Sequence, residues 1–298
     1  MSLRVIPAYR VVAKIVKEVQ HLPLDPALDA LGQRVQSYVH SLLTMVPASF
    51  AELGQRSAVT QMGDPDMDSL SKALEELEAS SVKSLAEEAL GRCSEALFRP
   101  DLDARVLLLP GDGESRVLVS QMHGVLGFSL GDQAMMTFVW PVPGWQEWLT
   151  YTIIHEYAHL VRNHHFPRGV AGGRLIYLKT QEPETLLDAM VAEGIADSFA
   201  RGLSPQCSPA WIQALPAERE KRVWLKVRRR LQVAEPTEIR RVLFGDNDRI
   251  PQWTGYTVGY RVVQGYLNAH PQTQPAQLVG LTARAIFQGS GYEEAVEW

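Results

Sequence analysis

The sequence predicts an α+β fold, mainly helical, with a small sheet just before an apolar helix that carries two histidines. Three observations carry this. Long stretches on both sides of residue 100 space their apolar residues three and four apart. Between about residues 101 and 140, short apolar and β-branched runs replace that spacing. The apolar helical segment that follows holds two histidines four apart, with a glutamate beside the first.

Residues 7–46 read as helix: Val11, Val12, Ile15, Val16 and Val19, then Leu28, Leu31, Val35, Tyr38 and Leu42, recur at helical intervals. Pro23 and Pro26 divide the segment, and Asp25 is the expected cap of the second helix, with Pro26 at its first position. Residues 48–66, richer in Gly, Pro, Ser and Asp, read as a connection. A long amphipathic helix is expected from about Asp66 to Cys93.

Arg105–Leu109 and Arg116–Ser120 read as short strands joined through PGDGE as a hairpin. Met135–Trp140 is a third strand, and HGVLGFSLGD before it reads as flexible turns. Helices are then expected over 146–163, 183–202, 217–232, 236–244, 255–269 and 274–287. The organisation is a helical N-terminal region, 1–100, and a core, 101–298, which can form one compact unit with it.

Composition narrows the function. Of 298 residues, 46% are hydrophobic and 21% charged, an ordinary globular balance. A net charge of -5 gives no reason to expect nucleic acid. The basic run Lys221, Arg222, Lys226, Arg228, Arg229 and Arg230 adjoins Glu218 and Glu220 and reads as a solvated helix face. Two distant cysteines, Cys93 and Cys207, imply no disulfide framework. The N-terminal stretch lacks the apolar core of a signal peptide, and no run is long enough to span a bilayer. The expectation is a cytoplasmic protein with no membrane partner.

The chemistry sits in WLTYTIIHEYAHLVRNHH. On a helix, residues four apart stack on one face, so His155 and His159 can both reach one Zn²⁺. Glu156, between them in sequence, is placed to take a proton from an activated water. Leu149, Ile153, Ile154 and Leu160 make this helix one to be buried, where two imidazoles and a carboxylate are costly without a metal.

Catalytic zinc takes a third protein ligand, and two residues compete for the place. Glu193 lies in ETLLDAMVAEGIADSFA, a helix with one apolar face, and Asp197 follows it by one turn. Glu193 would bind the metal while Asp197 accepts a hydrogen bond from the outer nitrogen of a ligand histidine, and Gly194 leaves room for a close helix. His165 would complete the HExxHxxGxxH pattern, but Arg162 occupies the glycine position. If the helix continues, His165 lies ~9 Å beyond His159 along its axis. For the oxyanion, GYTVGYRVVQGYL offers Tyr256, Tyr260 and Arg261, the tyrosines facing one way, with His123 and His270 as weaker donors. The strand ending at Trp140 is the expected cleft edge, where an extended peptide could add main-chain hydrogen bonds.

HEYAH, followed by EGIAD and then GYTVGY, resembles a bacterial family of predicted zinc-dependent proteases of unknown function. The ExxxD element is also similar to the third-ligand helix of the thermolysin-like zincins, or gluzincins. The resemblance covers about residues 100–270. It implies a zincin-like metalloprotease core with a small antiparallel or mixed sheet beside the HExxH helix. It further implies His155, His159 and Glu193 as ligands, Glu156 as general base, Asp197 as their support, and a peptide or protein substrate. The 34 residues from His159 to Glu193 are more than thermolysin has, so a long loop, 164–182, is expected between them. A zinc-binding regulatory or partner-binding protein on the same scaffold is the alternative from another class.

Overall fold

The computed structural model describes residues 2–246 and 249–297. The chain divides into two compact units, Met1–Leu160 and Val161–Trp298.

The first unit opens with strand β1 (Ser2–Ile6), followed by helices α1 (Tyr9–Val19), α2 (Leu24–Leu42), α3 (Ala48–Thr60), α4 (Met67–Ala79) and α5 (Val82–Ala96). Strands β2 (Asp103–Pro110), β3 (Val125–Leu130) and β4 (Ala134–Val139) come next, then helix α6 (Trp145–His165). The sheet order is β1-β2-β4-β3. β1, β2 and β4 run parallel, and β3 is antiparallel to β4. A parallel pair needs a crossover, and the five helices between β1 and β2 supply it. The expected α+β class, mainly helical with a small mixed sheet, is what the chain adopts.

Burial follows position in the sheet. Every residue of β4 is buried, as is nearly all of β2 after its first turn of chain, because both strands have neighbours on each side. β3 has one neighbour and is only half-buried along its middle. The helices turn Val12, Ile15, Val16 and Val19 of α1, and Leu31, Val35 and Val39 of α2, into the core.

Several expected elements take another form. Residues 48–66 are not a connection. Phe50, Ala51, Gly54 and Ala58 make the buried face of α3. Gly54 is there for packing: a Cβ would lie 2.6 Å from Leu43 and 2.7 Å from Leu130 side-chain atoms. The long helix from Asp66 is two helices, broken where Ser81 adopts a left-handed φ of 52°. Asp66 does cap the first, accepting from the Ser69 N–H at 2.9 Å. In α2 the cap is Pro23, and Asp25 and Pro26 both lie in the first turn, where N–H groups lack helical acceptors.

Arg116–Ser120 is not a strand. Both edges of β2 are taken by β1 and β4, so this run coils into a π-helical turn, Val117–Gln121. The hairpin partner of β4 is β3, out of the segment expected to be flexible turns. The strand at this edge of the sheet is β3, and the strand ending before Trp140, expected to be an edge, is interior.

Across from Gly127 on β3 stands Thr137 on β4, fully buried, with a hydroxyl that makes no hydrogen bond among the described residues. An unsatisfied buried hydroxyl costs about 1–3 kcal/mol. Thr137→Val should thus hold stability or raise it by about 1 kcal/mol in denaturant titration. A loss of that size would show that the hydroxyl has a partner after all.

In the second unit, the expected loop 164–182 is largely the last turn of α6 and a hairpin of β5 (Arg168–Ala171) and β6 (Arg174–Tyr177), turning at Gly172 and Gly173, both with positive φ. Arg168 fastens its base, pairing with Glu184 and donating to Asn163 Oδ1 at 2.8 Å. Helices α7 (Leu186–Leu203), α8 (Ala217–Val227), α9 (Pro236–Phe244), α10 (Thr254–Ala269), α11 (Ala283–Gly289) and α12 (Tyr292–Glu297) follow. The helix expected over 217–232 gives way to a 3-10 turn at Arg228–Arg230, and that over 274–287 starts as one, Pro275–Gly280. Lys221, Arg222, Lys226 and Arg229 are exposed.

No helix among the described residues is long and apolar enough to cross a membrane.

Candidate metal centre

α6 is a buried helix. Tyr151, Ile153, Ile154, Tyr157, Ala158 and Leu160 are each 1% exposed or less. The Tyr157 hydroxyl donates to the Leu97 carbonyl at 2.8 Å, and burial pushes its pKa well above the usual phenol value. This packing carries polar side chains inside with it, among them His155 at 9% exposure, Glu156 at 5% and His159 at 7%.

The helix period brings them together. The Nε2 atoms of His155 and His159 are 3.1 Å apart, with the rings edge to face at 4.8 Å between centroids. A ligand atom from each of His155, Glu156 and His159 lies within 4.8 Å of the others. Two nitrogens bound to a tetrahedral zinc at ~2.0–2.1 Å stand ~3.3–3.4 Å apart. The imidazole pair therefore has the spacing of two ligands to one ion, and its donors are those zinc prefers. Upstream on the helix, Tyr151 stands 6.5 Å from the His155 ring and Trp148 5.8 Å from Tyr151. His123, at a left-handed φ of 52°, stacks flat on Trp148 at 3.9 Å. Burial lowers the pKa of its imidazole.

β3 approaches this helix at one residue. A Cβ at Gly127 would lie 2.7 Å from both Glu156 Cγ and Thr152 Cγ2. Gly127 carries a local signal for this, since a glycine between Leu126 and Phe128 in a strand marks a close approach.

Arg162 stands where an HExxHxxGxxH arrangement needs glycine. It is instead helical and buried, donating to the Leu281 carbonyl at 2.8 Å and the Val279 carbonyl at 3.3 Å. α6 runs unbroken to His165, so the turn that would deliver that histidine to the metal is absent. The His165 ring instead faces Gly280, where an added Cβ would be 3.6 Å from its Cε1.

The other candidates belong to α7 and α10. α7 begins with a capping box between Thr185 and Asp188, and its core side is apolar from Leu186 to Ala200. Glu193 on it is half-buried. Asp197, one turn on, is fully buried, and its two oxygens accept from the Trp211 indole N–H at 3.1 and 3.2 Å. α7 and α10 cross glycine on glycine. A Cβ on Gly194 would sit 2.2 Å from the Gly259 carbonyl oxygen and 2.8 Å from the Tyr260 nitrogen. One on Gly259 would sit 1.9 Å from the Met190 carbonyl oxygen. This crossing fixes the helix of Glu193 and Asp197 against the helix of Tyr256 and Tyr260.

Tyr256 packs in an aromatic cluster, 5.7 Å from Phe244 and 5.4 Å from Trp253. Tyr260 is half-buried. Arg261 is committed elsewhere, paired with Glu220 at 2.5 Å and donating to the Leu215 carbonyl. His270 stacks on Tyr266 at 4.1 Å.

Residues 82–288, from α5 to α11, match the model of a family described as "Predicted Zn-dependent protease (DUF2268)". The chain is also similar to "Uncharacterized protein YjfC" of Bacillus subtilis (strain 168), 28% identical over 245 residues, with 76% of each chain covered. No solved structure matches it. A match over this much of the chain, which includes the helix that holds two imidazoles and a glutamate together, places the protein in that predicted Zn-dependent protease family.

Proposed function

We propose that the protein is a gluzincin-like zinc peptidase that hydrolyses peptide bonds with Glu156 as general base. The observation that carries this reading is the 3.1 Å between His155 Nε2 and His159 Nε2, with the Glu156 carboxylate beside them in a buried helix. Zinc held there would supply a Lewis acid, lowering the pKa of a water toward ~7 and polarising a carbonyl.

The chain's own residues do the rest. Glu156 takes the proton of the attacking water and passes it to the leaving amine. Glu193 is the third protein ligand in this reading. Asp197 orients a ligand histidine, for which a carboxylate held rigid in the core is suited. Tyr256 or Tyr260 donates to the developing oxyanion.

The substrate in this reading is an extended peptide along β3. The Trp140 N–H donates to the Gly124 carbonyl at 2.8 Å, and hydrogen-bonded pairs alternate along an antiparallel ladder. In the β3–β4 register, Leu126 and Phe128 then turn their main-chain groups toward β4. Val125 and Gly127 turn theirs toward the outer edge, where a peptide strand would bond. Cys93 and Cys207 form no disulfide, which supports a cytoplasmic setting.

The test is zinc content by mass spectrometry, with cleavage of a peptide library. Wild type should hold one zinc and cleave peptides until chelator is added. His155→Ala, His159→Ala and Glu193→Ala should lose the ion on dialysis, and His165→Ala should keep it. Asp197→Ala should weaken zinc affinity about 10–100-fold. Full zinc in Glu193→Ala would remove that ligand from the account. Zinc without chelator-sensitive cleavage would make the protein a metal-stabilised binder.

A further inference from the structure

Gly127 lies in the middle of β3, and the local backbone does not require a glycine there. Pairing runs regularly through it, Leu126 to Phe138, Gly127 to Thr137, Phe128 to Met136, so it is no bulge. Its φ lies outside the left-handed region. A glycine inside a strand forgoes side-chain packing, and a side chain would be expected at such a place. What excludes one is α6. A Cβ would stand 2.7 Å from Glu156 Cγ, 3.3 Å from Glu156 Cδ and 2.7 Å from Thr152 Cγ2. Two of these three contacts are with the residue read as the base, and the third is with the residue one turn before it.

Resting on the reading of Glu156 as general base, we propose that Gly127 is the positioning residue for that base: its bare Cα lets the strand lie directly against the glutamate stem and fixes where the carboxylate points. The physical argument is one of confinement. Glu156 has three rotatable bonds, and a base acts only when its oxygen is within hydrogen-bond reach of the water it deprotonates. Backbone packed against its Cγ removes rotamers that swing toward the strand. A methyl at residue 127 would stand 2.7 Å from Cγ, well inside ordinary contact, and drives the chain into another rotamer. Thr152, stiff at χ1 in a helix, gives less readily than Glu156. The displacement therefore falls on Glu156, and a misplacement near 1 Å can cost ~10²-fold in rate.

The experiment uses the full-length, zinc-loaded chain. Gly127→Ala should keep its zinc, because the closest clashes are with Glu156 and Thr152 and not with either imidazole. It should lower kcat ~10²-fold with little change in KM. In protein labelled with ¹³C at glutamate carboxyls, the Glu156 resonance, assigned by its absence in Glu156→Gln, should move. Gly127→Ala/Thr152→Ser removes the Thr152 conflict and leaves that with Glu156. It should recover thermal stability but neither kcat nor the resonance, and it carries the measurement if the single variant does not fold. Recovery of kcat together with stability would reduce Gly127 to a spacer between strand and helix and overturn the proposal. So would an unmoved Glu156 resonance in Gly127→Ala. Wild type without peptide cleavage would defeat the peptidase reading instead, and the carboxyl resonance would still decide whether Gly127 positions Glu156.

Discussion

On the zinc-peptidase reading, zinc should stay bound in Glu156→Gln while turnover falls ~10³-fold, within the range that general acid–base catalysis contributes. The substitution keeps the size and shape of a side chain that is 5% exposed, so α6 has no cause to repack. It leaves the two imidazoles, whose Nε2 atoms stand 3.1 Å apart, in place to bind the ion on that reading. What it removes is the ability to accept a proton at near-neutral pH, because an amide is not a base there. Metal analysis and steady-state kinetics on one preparation check both halves. Loss of zinc would make Glu156 a ligand, which its closeness to both imidazoles permits. Near-normal turnover would refute its role as base.

The second large effect is structural. Gly259→Ala should destabilise the protein by about 3 kcal/mol or more, at the upper end of overpacking costs. The new methyl would stand 1.9 Å from the Met190 carbonyl oxygen and 2.6 Å from its carbon. Both atoms are backbone, so no rotamer change relieves them. α7 and α10 must move apart by roughly 1.5 Å, the gap to an ordinary contact near 3.4 Å. The melting temperature should fall by about 5–10 °C. On the proposed reading of Glu193 as a ligand, zinc affinity should fall as well, because the same crossing holds the helix of Glu193 and Asp197. Gly91→Ala is the control. That helical glycine faces open space, and alanine there should add up to about 1 kcal/mol. An unchanged melting temperature in Gly259→Ala would mean the helices do not cross this closely.

Both variants show how differently the two residues stand in the sequence. Glu156 announces itself, because HExxH joins a chemical type to a helical spacing and needs no partner from elsewhere in the chain. Gly259 is one glycine among 22, and nothing local marks it as the place where two backbones meet. The same contrast runs through the fold. α1, α2, α7, α9 and α10 follow from apolar residues at helical intervals. α3 was concealed by Gly54, Ser and Pro, which look like a connection until Leu43 and Leu130 are seen to fill the glycine's space.

The sequence by itself determined the helical majority, the presence of β2 and β4, and the placing of His155, Glu156 and His159 on one helix. Each of these depends on spacing within a single segment, and the period of a helix or strand converts spacing into direction without further information. Only the tertiary structure decided which strand lies at the edge, that Arg116–Ser120 coils while the segment around Gly127 pairs, that α6 runs on through Arg162 to His165, and that Gly194 meets Gly259. Strand pairing and helix crossing are agreements between distant segments. β2 had no edge left for Arg116–Ser120, and Arg162 found the Val279 and Leu281 carbonyls more than a hundred residues away, so the outcome was fixed by neighbours that no local pattern contains.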